Sequence, residues 1–87
     1  MRVVVTETIE HSADITAEMV EAYLKRRRWR RTMSDDGKTP GWIKGRRKAI
    51  ASVGWRSAHV LGWAISLLAT HEGRKPHEVL ADIASGK

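Results

Sequence analysis

The sequence predicts an α+β domain: a short antiparallel sheet, made of an N-terminal strand and a central hairpin, packed against two main helices and a short C-terminal helix. Three observations carry that expectation. The chain opens on a β-branched run, RVVVTETI. An Asp36-Gly37 pair, which supplies the left-handed geometry of a tight turn, lies between Trp29–Met33 and Pro40–Lys44. Apolar residues recur at helical spacing over about 16–28 and again over about 55–71.

The opening strand spans about six residues at a sheet edge. Val3, Val4 and Val5 run together, so both faces are expected to be covered. His11 to Ile15 reads as a polar connection. Thr16 and Asp14 compete to cap the first helix, because either side chain can accept an orphan amide hydrogen. Glu18 and Glu21 suit the positive end of that helix, and Lys25 to Arg28 suit its negative end. Val20, Tyr23, Leu24 and Arg27 share one face, with Met19 beside them. Continued as a helix, Trp29 would point away from Val20 into water. A return to extended backbone turns its ring inward, so the helix should stop there.

The hairpin Trp29–Met33 against Pro40–Lys44 follows, with an ordered loop as its rival. Gly45 to Lys48 is a basic corner. Ile50 and Val53 are three apart and start a helical stretch that Gly54 divides, with the longer piece running from about Trp55 to His71. Val60, Leu61, Ala64, Ile65, Leu67 and Leu68 leave that helix apolar almost all round, which suits a central position or a subunit contact. Ala58, Gly62 and Ser66 make a low ridge for close packing, against the first helix or a second copy. Trp63 is the large ring on an otherwise polar face. These four residues, Ala58, Gly62, Trp63 and Ser66, are the candidate subunit contact of a homodimer. Gly73 ends the helix and Pro76 begins the last one, over about 76–84.

Composition narrows the function. Residues 1–87 make one small basic domain. A chain of this size buries only about 60% of the surface its unfolded form exposes. Cysteine is absent, which removes disulfides, thiolate metal sites and cysteine nucleophiles, and fits a reducing, cytoplasmic setting. The N-terminus lacks a signal-peptide pattern, and the nearly apolar run Ala58 to Ala69 is too short to span about 30 Å of hydrocarbon. No membrane partner is expected.

The net charge of +6 is unevenly spread. Residues 1–24 hold one basic and five acidic side chains (1 − 5 = −4), residues 25–48 eleven and two (11 − 2 = +9), and residues 49–87 four and three (4 − 3 = +1). The middle therefore favours a polyanion or an acidic partner.

No Walker loop, G-x-S-x-G, HExxH or dinucleotide fingerprint occurs. Glu7, Glu10, Asp14, Glu18 and Glu21 read as a solvated face that balances the basic middle. His71 and His77 flank Gly73, with Glu72 and Glu78 nearby, and read as exposed helix-end residues. No catalytic residue, metal ligand or cofactor is expected, and the chain does not read as an enzyme. The leading expectation is binding of DNA or RNA backbone through Lys25, Arg26, Arg28, Trp29, Arg30, Arg31, Lys44, Arg46, Arg47 and Lys48. Guanidinium forks match phosphate oxygens, and an exposed Trp29 would stack on a base. The alternative is a protein-interaction module, an inhibitor or adaptor, docking an acidic partner through the same residues. A helix–turn–helix is disfavoured, because His77, Glu78, Ala81 and Asp82 would form its recognition surface.

Overall fold

The computed structural model describes all 87 residues and has the expected α+β architecture. In chain order it contains β1 (Arg2–Thr6), β2 (Glu10–Asp14), α1 (Ala17–Arg26), β3 (Arg30–Met33), β4 (Pro40–Lys44), β5 (Lys48–Ala51), α2 (Ala58–Glu72) and α3 (Pro76–Ser85). The strands form two antiparallel sheets, β1–β2 and β3–β4–β5.

The opening strand does not join the central hairpin. It pairs with β2, with Val3 opposite Ala13 and Val5 opposite His11. A three-residue link returns the chain beside itself, so the nearest partner wins. Its faces alternate: Val3 and Val5 are buried, while Val4 is exposed. The expectation of cover on both faces is therefore corrected.

Thr16 wins the cap of α1, its hydroxyl accepting from the Met19 amide at 3.2 Å. Val20, Tyr23 and Leu24 form the buried face. The helix ends through backbone geometry. Arg28 adopts a left-handed φ of 67°, its amide donates to the Lys25 carbonyl, and the Trp29 amide donates to the Leu24 carbonyl. This is a Schellman closure, and it carries Trp29 back over Leu24 into the core.

The central hairpin forms rather than an ordered loop, with Arg31 opposite Trp42 and Met33 opposite Pro40. A third strand extends it. β5 pairs with β4, placing Ile50 opposite Trp42 and Lys48 opposite Lys44. Residues 50–54 are thus not helical. Ile50 packs inward beside Trp42, and Gly54, at a φ of 84°, turns the chain toward α2. That helix starts at Ala58 because the Ser57 hydroxyl accepts from the Val60 amide at 3.4 Å.

Helix α2 is central, touching β1, β5 and α3. Leu61, Ile65, Leu68 and Ala69 are buried. Gly62 is filled from within the chain: a Cβ there would lie 2.5 Å from the Val4 carbonyl oxygen. Gly62 therefore packs against β1, not the first helix. Gly73 closes α2 in the left-handed region, and Pro76 opens α3, as the sequence predicts. No helix is long and apolar enough to cross a membrane.

Candidate nucleic-acid interface

The basic segment folds into three pieces that meet at one end of the central sheet. The C-terminal turn of α1 supplies Lys25 to Arg28, β3 supplies Arg30 and Arg31, and the β4–β5 turn supplies Lys44 to Lys48. Arg30 lies opposite Ile43, one residue from the Lys44–Lys48 pair. The hairpin thus folds the two sequence-separated basic groups toward one another.

A buried carboxylate ties these pieces. Glu72, at the last residue of α2, has a side chain only 3% exposed. Its Oε1 accepts from the Tyr23 hydroxyl at 2.6 Å. Its Oε2 accepts from Arg27 Nε at 3.1 Å and lies 3.8 Å from Lys44 Nζ. Burial alone would raise the pKa of Glu72. The Tyr23 and Arg27 hydrogen bonds and the Arg27 and Lys44 charges outweigh it, so the carboxyl titrates below its ordinary range. Tyr23 is pushed up to about 12, first by burial and then by its hydrogen bond to Glu72. Arg74 completes the knot, with Nη1 donating to the Tyr23 oxygen at 2.9 Å and Nη2 to Asp82 at 2.7 Å.

The expected binding residues therefore divide. Arg27 and Lys44 are held by Glu72. Arg31 is exposed but lies 3.8 Å from Glu21 and 5.6 Å from the Trp42 ring centroid. Trp29 is 3% exposed, so its ring is part of the core and is not offered to a base. The ring stands 6.0 Å from His71. Lys25, Arg26, Arg28, Arg30, Arg46, Arg47 and Lys48 remain exposed, and none has a carboxylate oxygen within 4.0 Å.

Two further features lie outside that group. Trp63 is 78% exposed beside an open apolar groove of about 530 Å³ lined also by Val53, Trp55, Val60, Ala64 and Leu67. Leu67 and Val53 are also exposed. The nearly all-round apolar character of α2 thus reflects a strip left open as well as a central position. Elsewhere, Glu7, His11 and His77 come together, with the two imidazoles stacked at 4.6 Å. In sequence Glu7 belongs to an acidic run expected on a solvated face and His77 pairs with His71, which lies against Trp29 instead. Of the five N-terminal carboxylates, Glu21 is the one that touches the basic middle. A Glu-x3-His spacing at a hairpin turn was the available signal, but its third member is 66 residues further along. Comparison with protein-family models, with curated proteins and with solved structures finds no match to this chain.

Proposed function

We propose that this chain binds nucleic-acid backbone without catalysis, through Lys25, Arg26, Arg28, Arg30, Arg46, Arg47 and Lys48. The supporting observation is that these seven cations are exposed and unpaired on elements that meet at one end of the sheet. Arginine and lysine without an internal carboxylate are free to replace the counterions of a phosphate chain. With Trp29 buried, base stacking has no part in the reading. Contacts to phosphates carry no sequence information by themselves. A reducing, cytoplasmic setting goes with this reading, as a cysteine-free chain suits it. The test is a gel-shift series with unrelated duplexes and single strands at low salt. Similar retardation of all of them is expected, and retardation of none would overturn the proposal.

A second reading is a protein-interaction module that docks an acidic partner. Exposed Trp63 and Leu67 favour it, because aromatic and Arg anchors dominate protein interfaces. Capture from nuclease-treated lysate separates the two. A stoichiometric protein band that persists in about 0.3 M salt would favour this second reading, since its anchors do not depend wholly on long-range charge. Sedimentation of the purified chain reports whether the occupant of that strip is a second copy.

A further inference from the structure

We propose that Glu7, His11 and His77 form a binding site for one divalent transition-metal ion of the zinc class, which clips the β1–β2 turn onto the start of α3. The three residues come from the β1–β2 turn, β2 and the first turn of α3, so only the folded chain assembles them. Two imidazoles and one carboxylate are ligands suited to Zn²⁺ and to its neighbours Co²⁺, Ni²⁺ and Cu²⁺.

The geometry is close to what such an ion needs. One ligand atom from each residue can be chosen so that all lie within 4.8 Å of one another. Glu7 Oε2 is 2.7 Å from His77 Nδ1 and 4.0 Å from His11 Nε2. A tetrahedral ion with bonds of about 2.0–2.2 Å wants its ligand atoms roughly 3.3 Å apart. The two Glu7 separations straddle that value, and the third, between the imidazole nitrogens, is at most 4.8 Å, so closure draws the two rings together.

The carboxylate is oriented in advance. Glu7 Oε1 accepts from the His77 backbone amide at 3.2 Å, which leaves Oε2 facing both rings. An outer hydrogen bond of this kind fixes a metal ligand before the metal arrives. The positive end of α3 disfavours a cation, and the Glu7 charge offsets it. The side chains of Glu7, His11 and His77 are 21%, 31% and 36% exposed, which leaves an entry path and a place for water at the fourth position. Ligation through His77 Nδ1 requires the tautomer that carries its proton on Nε2. The site shares no residue with the seven unpaired cations, so it stands or falls apart from polyanion binding.

Titration calorimetry with zinc chloride in a non-chelating buffer tests the site. One ion per chain is expected, with a dissociation constant of about 10 µM or tighter. At a hundredfold excess over that constant the melting temperature should rise by roughly 10–20 °C. Cobalt should give the visible absorption of a tetrahedral N/O site. His11→Gln, His77→Ala and Glu7→Gln should each weaken binding at least tenfold, whereas His59→Ala and His71→Ala should leave it unchanged. His11→Gln is decisive, because the His11 side chain makes no hydrogen bond within the fold. Binding weaker than about 100 µM, or binding that survives His11→Gln, would overturn the proposal.

Discussion

The Glu72 knot and the cationic rim near it contain the same residue types in different settings. Arg27 and Lys44 share a carboxylate whose side chain is 3% exposed, and they join α1, β4 and α2 there. Lys25, Arg26, Arg28, Arg30, Arg46, Arg47 and Lys48 sit at the end of α1, the start of β3 and the β4–β5 turn, with no carboxylate in reach. Charge density alone does not separate the two groups. An acidic partner at the end of α2 does. The knot should therefore govern stability and the rim should govern binding, and exchanging those effects is the way to break the comparison.

The largest effect is expected from the rim. Reversing Arg26, Arg30 and Arg47 to Glu changes the charge by six units. Affinity for a mixed-sequence duplex should fall by more than about a thousandfold, because three contacts become repulsions. The circular-dichroism spectrum and melting temperature should barely move, as none of the three side chains has an ion-pair partner to lose. A large drop in melting temperature would show that the rim is structural.

The knot should give the opposite pattern. Glu72→Ala removes the acceptor for Tyr23 and the counter-charge for Arg27 and Lys44. Breaking a fully buried pair costs about 3–5 kcal/mol. Here Arg27 and Lys44 are each more than a third exposed and can turn to water, so about 1–3 kcal/mol is expected in urea unfolding. Binding at low salt should rise several-fold, since two cations are released to the rim. Weaker binding by Glu72→Ala, with the fold intact, would contradict the division.

The pH dependence should be smaller and has a defined sign. The Glu72 carboxyl titrates below its ordinary 4.5 in the fold. It therefore contributes stability above that value, which is lost as the pH falls from about 4.5 through the folded pKa. Tyr23 is raised from 10.0 to about 12, so its contribution is present below pH 10 and is lost as the pH rises toward 12. Urea midpoints across both windows should show two declines, and Tyr23→Phe should remove the alkaline one. An unchanged alkaline decline in Tyr23→Phe would assign it to the lysines.

The smallest effect sharpens the comparison at one residue. Arg28 holds a left-handed φ of 67° at the end of α1, where glycine is preferred. Arg28→Gly should stabilise the fold by about 0.5–1 kcal/mol, through relief of that strain. It should also weaken polyanion binding modestly, by the loss of one cation. Reduced stability would mean that the Arg28 side chain takes part in the knot.

Much of this arrangement was legible in the sequence. The stop of α1 followed from where Trp29 would point, and the central hairpin followed from Asp36-Gly37. Gly73 and Pro76 marked the α2–α3 boundary for the same local reasons. The failures share a cause as well. Glu10–Asp14, EHSAD, has little strand propensity and is a strand because β1 lies beside it. The spacing of Ile50 and Val53 predicts the start of a helix, yet Ile50 packs by strand alternation beside Trp42. The +9 segment showed which cations exist but not which are spent. Glu72 lies 45 residues from Arg27, and only the tertiary fold brings them to 3.1 Å. The Glu7–His11–His77 group was hidden by the same kind of separation.

Salt dependence of binding to a single duplex tests the central claim most directly. If four to seven of the rim cations neutralise phosphates, log affinity should fall linearly with log salt, with a slope of roughly −4 to −6. Between about 50 and 200 mM salt the affinity should drop by roughly a hundred- to several-thousand-fold, and Arg47→Ala should make the slope shallower by about one. A flat response over that range, or no binding at the lowest salt, would contradict the assignment of the rim to a phosphate backbone.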